Sequence, residues 1–131
     1  MTGMEHAEAR SFAEHWQSAW NAHDLDALLT HFSPDVVFSS PVAAQLLPDC
    51  HGVIRGRDAL RDYWTRALSM LPDLHFEVEA VYAGVDTIAI SYRNHMGNGV
   101  CEILTFSDGL VIEGQATYVT DSAAAASGLP S

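Results

Sequence analysis

The stretch from Leu60 to Tyr82, LRDYWTRALSMLPDLHFEVEAVY, decides the fold. Up to Leu71 its apolar residues, Leu60, Tyr63, Trp64, Ala67, Leu68 and Leu71, recur at intervals of three and four. That spacing predicts an amphipathic helix, which Pro72 closes. Beyond Pro72 the apolar interval falls to two. Strand-like runs then occupy 74–82, 87–94, 99–107 and 110–119, separated by Ala83-Gly84, His95–Asn98 and Ser107-Asp108-Gly109. Connections this short suit consecutive antiparallel hairpins.

Upstream of the decisive stretch, Ala9, Phe12, Ala13, Trp16, Ala19 and Trp20 mark one face of a first helix over 8–20. Asp24 is a good N-cap for a second, shorter helix carrying Leu25, Leu28, Leu29 and Phe32. That helix should stop at Ser33-Pro34, because a residue before proline is pushed out of the α region. Val36-Val37-Phe38 reads as a short strand ended by Ser39-Ser40-Pro41. Residues 41–56, with Pro41, Pro48, Gly52 and Gly56, read as a loop with room for one helical turn at Val42–Leu47. Three helices, a short strand between them and a four-stranded meander make an α+β plan. A strongly curved, mainly antiparallel sheet would wrap the first and third helices and leave a cone-shaped cavity between them.

The 131 residues, 48% of them hydrophobic, suit one domain, expected over 1–120. The final segment DSAAAASGLPS, 121–131, offers small residues and no anchor, so a flexible tail is expected there. No run approaches the ~18 apolar residues of a membrane span, and MTGMEHAEAR has no apolar core of a secretion signal. A cytoplasmic location is the expectation. Six arginines and no lysine stand against 17 acidic residues, a net charge of −11 with histidines neutral. Such a balance repels phosphate backbones, so neither nucleic acid nor membrane is an expected partner. Cys50 and Cys101 read as free thiols.

The stretches WNAHDLDALLTHFSPDVVFSSP, IRGRDALRDYWTRAL and VCEILTFSDGLVIEGQATYV resemble the nuclear transport factor 2-like superfamily over about residues 10 to 120. Within it the SnoaL-like polyketide cyclases and the ketosteroid isomerases are the nearest patterns. The resemblance implies a cone-shaped α+β barrel with a deep pocket, dimeric through the outer face of its sheet. It specifies fold better than activity, since the superfamily holds isomerases, cyclases, epoxide hydrolases, dehydratases and non-enzymatic adaptors.

Carried across residue by residue, the ketosteroid-isomerase site mostly fails. That family's general base is an aspartate before a proline at the end of the first strand, where this chain has Ser40. A serine at its ordinary pKa is no base near neutrality. The family's three tyrosines match Trp16, Phe32 and Trp64, which implies an apolar wall in place of a hydrogen-bond network. The acidic partner of the oxyanion hole survives as Glu102. Steroid isomerisation by the family mechanism is therefore not expected, and the Asp-Arg-Asp set of the superfamily's epoxide hydrolases does not assemble from this sequence.

Glu102 is the first candidate for catalysis. It interrupts the apolar run GVCEILTF and shares a strand face with Val100, Leu104 and Phe106, which the resemblance turns into the cavity. A carboxyl group there would lose hydration and rise in pKa, so that it could donate a hydrogen bond to a ligand carbonyl. The plainer alternative is an ion pair with Arg93 or a histidine. Trp16, Trp20, Phe38 and Trp64 would supply apolar contact, or simply core; Leu104 would join them, with Ser40, Gln115 and Tyr118 as polar candidates. His15, His23 and His31 lie eight apart, not at the three- or four-residue spacing of ligands on one helix face, so no metal is expected. Asp49 and His51 are lid candidates near the cavity mouth, while Arg55 and Arg57 beside Asp58 suit ion pairing at a helix start. Cys101 should face outward.

Two functions remain open. One is an enzyme acting without cofactor on an apolar carbonyl compound, such as a polyketide or steroid-like metabolite, by proton transfer, cyclisation or dehydration. The other is a non-catalytic dimer that binds a ligand or assembles. Its outer sheet face would carry Cys101, Ile103 and Thr105.

Overall fold

Helix α1 (His6–Asn21) begins where the backbone N–H of Glu5 donates to the Glu8 carboxylate at 3.1 Å, which answers one of the donors left open at a helix start. It is the first element of a computed structural model that describes residues 5–120. The tail expected over 121–131 lies outside the described residues. Helix α2 (Leu25–Leu29) is capped as anticipated, the Asp24 carboxylate accepting from the N–H of Ala27 at 3.1 Å.

The second helix is shorter than its apolar spacing suggests. Strand β1 (Phe32–Ser39) starts at Phe32 and runs through Pro34. The register of β1 shifts between Phe32 and Val37, so Pro34 sits where the ladder is interrupted and its missing N–H leaves nothing unpaired. Ser40 then caps helix α3 (Pro41–Leu46), its Oγ accepting from the N–H of Val42 at 3.1 Å, with Pro41 in the first helical position. A 3-10 turn (Pro48–Cys50) leads into strand β2 (Val53–Arg55), three residues that sequence reading leaves in a loop. Helix α4 (Arg57–Met70) follows, then β3 (Glu77–Ala83), β4 (Thr87–Arg93), β5 (Gly99–Ser107) and β6 (Leu110–Tyr118).

The strands form one curved six-stranded sheet in the order β2-β1-β6-β5-β4-β3. Four of its strands are the expected meander, and only the β1–β6 pair is parallel. Helices α1 and α4 bury their stripes against it, with Trp16 and Trp20 from one helix and Tyr63 and Trp64 from the other in the core. Ring centroids lie 4.9 Å apart for Trp20–Trp64 and 5.5 Å for Phe38–Trp64, both near edge-to-face, an arrangement aromatic quadrupoles favour.

Residues 74–76, expected to begin a strand, have no strand beside them. Side chains of α1 and its following turn hold that backbone instead. Asn21 accepts from the N–H of Phe76 at 2.8 Å and donates to its carbonyl at 2.9 Å. His23 Nε2 donates to the carbonyl of Leu74 at 2.9 Å, and Gln17 accepts from the N–H of Val78 at 2.6 Å. No helix among the described residues is long and apolar enough to cross a membrane.

Candidate functional site

Strand β5 alternates strictly through its centre, turning Val100, Glu102 and Leu104 inward and Cys101, Ile103 and Thr105 outward. Glu102 is 3% exposed. Its Oε1 accepts a hydrogen bond from the Tyr92 hydroxyl at 3.1 Å, while its buried Oε2 has no protein partner. The alternative ion pair with Arg93 is absent: that guanidinium bonds Glu79 at 3.1 Å and the carbonyl of Gly97 at 2.7 Å. Burial pushes the Glu102 carboxyl from 4.5 up to about 7, against a smaller downward pull from the Tyr92 hydrogen bond.

Glu102 lines a cavity of about 40 Å³ together with Trp20, Phe38, Ser40, Val42, Tyr63, Trp64, Ala67, Leu71, Leu74, Phe76, Tyr92, Ala116 and Tyr118. Sites that enclose drug-sized ligands run to ~300–1,000 Å³. A steroid-sized molecule is far too large for this closed form. Of the residues expected at the site, Glu102, Trp20, Phe38, Ser40, Trp64 and Tyr118 are therefore brought together.

Three expected site residues are not. Trp16 is fully buried behind the cavity wall, its ring 5.0 Å from Tyr92 and 5.7 Å from Phe76, and acts as core. Leu104 is also fully buried and packs beside Phe38 at Gly114, where an added Cβ would meet both side chains at 2.9–3.1 Å. Gln115 stands opposite Ile103 in the ladder, and strand alternation turns it to the outer face. It lies there with His51 in a groove that shares Ser40 and Ala116 with the cavity wall, and Asp49 is exposed in the 3-10 turn; neither His51 nor Asp49 lines the cavity itself.

The expected apolar wall is also corrected. Tyr63 from α4, Tyr92 from β4 and Tyr118 from β6 surround the carboxyl with phenols, though not from the positions the resemblance supplies. Tyr92 and Tyr118 both stand opposite Val100, two residues along the same face from Glu102. Burial raises the Tyr92 phenol well above its ordinary value, and the nearby Glu102 charge raises it further. Tyr63 is raised by burial as well, with its hydrogen-bond partner Ser40 working the other way. These hydroxyls hold their protons at neutral pH and serve as donors rather than bases. Tyr63 and Tyr92 were hidden in the sequence because each falls on the apolar periodicity of its element.

The remaining polar candidates have structural partners. Arg57 donates to the carbonyl of Phe32 at 3.1 Å. Cys50 donates to the carbonyl of Ala43 at 3.4 Å and accepts from the N–H of Gly52 at 3.2 Å; both cysteines are free. His15 and His31 meet through space, ring centroids 6.3 Å apart, and burial followed by the His15 charge lowers the pKa of His31. Among the described residues no group of three or more His, Cys, Asp or Glu side chains is placed to hold a metal ion.

The family model for the SnoaL-like domain matches residues 13–114 of the chain. A SnoaL-like protein of unknown function from Burkholderia thailandensis is 41% identical, with a TM-score of 0.86 over 90% of this chain and 99% of its own. AclR from Streptomyces galilaeus, provisionally named a hydroxylase, is 24% identical at a TM-score of 0.69, over 88% of this chain and 91% of its own. A protein from Sinorhizobium meliloti provisionally named a polyketide cyclase is 17% identical at 0.67, over 82% and 94%. The last two likenesses carry fold alone. No curated protein matches the chain.

Proposed function

The chain belongs to the SnoaL-like domain family of the nuclear transport factor 2-like superfamily, and from that premise we propose that it is a cofactor-independent enzyme acting on a small, largely apolar carbonyl compound, with Glu102 as its acid–base group. One observation carries the reading: a buried carboxyl group bonded through one oxygen to Tyr92 and unpartnered at the other, in the wall of a cavity. A group that changes charge at about 7 has both forms populated near neutrality, which suits general acid–base catalysis.

Ionised Glu102 takes a proton on Oε2 from the carbon beside the carbonyl. The C–H electron pair becomes the enolate, whose oxygen is held by a donor of the cavity wall. The same proton returns from Oε2 to a different carbon, completing an isomerisation, or to a departing hydroxyl that leaves as water. Attack of the enolate on a second carbonyl would give cyclisation.

Compact ketones, β,γ-enones and β-hydroxy ketones test this as substrates. Turnover should fall about 10²- to 10⁴-fold in Glu102→Gln, and kcat/KM of the natural chain should rise with pH through about 7. Equal turnover by the variant overturns the reading.

A second reading, a dimer that binds without transforming its ligand, draws on a different observation. Glu102 is the sole carboxylate or imidazole in the cavity wall among the described residues, so catalysis has no second group there that titrates near neutrality. Binding of these compounds with no turnover of any favours this second reading.

A further inference from the structure

Among the described residues, five buried side-chain polar atoms have no hydrogen-bond partner: Trp16 Nε1, Trp20 Nε1, Asn94 Nδ2, His95 Nδ1 and Glu102 Oε2. Leaving such an atom unanswered is costly, so each asks for an explanation. Two of the five, Trp20 Nε1 and Glu102 Oε2, belong to residues of the same cavity wall, and the other three belong to residues outside it. Trp20 is 4% exposed. Its ring lies edge-on to Trp64 at 4.9 Å and against Phe76 at 5.3 Å, so packing holds the indole in place with its N–H away from solvent.

An indole N–H donates and never accepts. A ligand that answers it must therefore present an acceptor. The apolar remainder of the wall, Phe38, Trp64, Leu71 and Leu74, rewards hydrocarbon around that acceptor. The volume of about 40 Å³ favours the most compact ligands, and even for these the wall must give way.

We propose that Trp20 is a ligand-binding, specificity-determining residue, and that its indole N–H holds the carbonyl oxygen of a ligand whose neighbouring carbon faces Glu102 Oε2, so that a compact ketone is selected over a hydrocarbon of the same shape. The proposal rests on the reading of Glu102 as the group that meets the ligand, and it adds the donor that fixes which end of the ligand enters.

Nitrogen-15 NMR of the natural chain tests it, with cyclopentanone and its oxygen-free shape match methylenecyclopentane as probes. The Trp20 indole proton should move downfield with cyclopentanone and not with methylenecyclopentane. Trp16, equally buried and equally unpartnered but outside the cavity, is the internal control and should stay still. Trp20→Phe should weaken cyclopentanone binding about five-fold more than methylenecyclopentane binding.

The carbon-13 signal of the Glu102 carboxyl reports binding separately. If that signal responds to cyclopentanone while the Trp20 indole does not, the proposal falls and the reading of Glu102 stands. If the indole responds while Glu102→Gln turns over substrate as well as the natural chain, the acid–base reading falls and Trp20 remains a binding residue. No response at either position, as for a cavity that admits water alone, overturns the proposal.

Discussion

Glu102 gives the fold a pH dependence of definite sign. Its carboxyl is 4.5 in ordinary surroundings and about 7 in the folded chain, because burial penalises the charged form. Between those values the folded state holds a proton that the unfolded state has lost, so stability falls as pH rises across that window. The favourable contribution is complete below about 4.5 and gone above about 7. At ~1.4 kcal/mol per unit, the whole change is about 3 kcal/mol. Glu102→Gln never ionises and should lack this loss. Urea denaturation at pH 4 and pH 8 should therefore show the variant gaining about 3 kcal/mol on the natural chain between the two conditions; parallel curves would contradict this. The residue was legible because a lone carboxylate interrupts an apolar strand. Its neighbours Tyr63 and Tyr92 were not, since tyrosine satisfies an apolar period while hiding a polar tip. The hairpin register carries the clue only once the turn is fixed: strands that end at Arg93 and Gly99 set Tyr92 opposite Val100 and so on the face of Glu102, whereas a turn over 95–98 would set it opposite Cys101. The turn over 107–110 alone would set Gln115 opposite Glu102; the bulge between Thr105 and Phe106 shifts it opposite Ile103 and out of the site.

At the scale of elements, α1 does more than bury a stripe. Its polar residues Gln17 and Asn21, with His23 in the turn that follows, stand in for a strand beside residues 74–78. Leu74 and Phe76 on that segment line the cavity, so the helix positions part of the wall through side-chain hydrogen bonds. Asn21→Ala removes two of them and leaves the Phe76 N–H unanswered in a half-buried position. It should cost about 2–3 kcal/mol in thermal or urea unfolding; a loss below ~0.5 kcal/mol would mean the backbone finds other partners. Period alone could not separate this segment from a strand, because Leu74, Phe76 and Val78 alternate as a strand would. Pro34 misled in the opposite direction: a local rule ended the helix there, while the interrupted ladder lets a strand pass through it. Strand β2 escaped notice because three residues are too few to show any period. Helices α1 and α4 and the meander were readable because each repeats its pattern over two turns or more, or over four or more alternations.

In the whole molecule, the sheet has two unlike faces. The inner one closes on aromatic rings and one carboxyl. The outer one carries Ala89, Ser91, Cys101, Ile103 and Thr105 across the middle of β4 and β5, all uncharged and all half-buried in a chain of net charge −11. That neutral centre supports the proposed homodimer through the outer face, since interface centres are depleted of charge. Ile103→Lys would place an ammonium there and should shift sedimentation from dimer to monomer, with the fold intact by circular dichroism; a natural chain that sediments as a monomer contradicts the proposal. The general shape, helices wrapped by a curved sheet, follows from the order of periods along the chain. The size of the cavity does not, because it depends on how far side chains from seven helices and strands reach, and its about 40 Å³ restricts the ligand more than any motif did.

All of the proposed chemistry depends on the state of one carboxyl group. Its carbon-13 chemical shift, followed from pH 3 to pH 9 and assigned by its loss in Glu102→Gln, should move with a midpoint at about 7. A midpoint near the ordinary ~4.3 of a solvated glutamate would contradict the account.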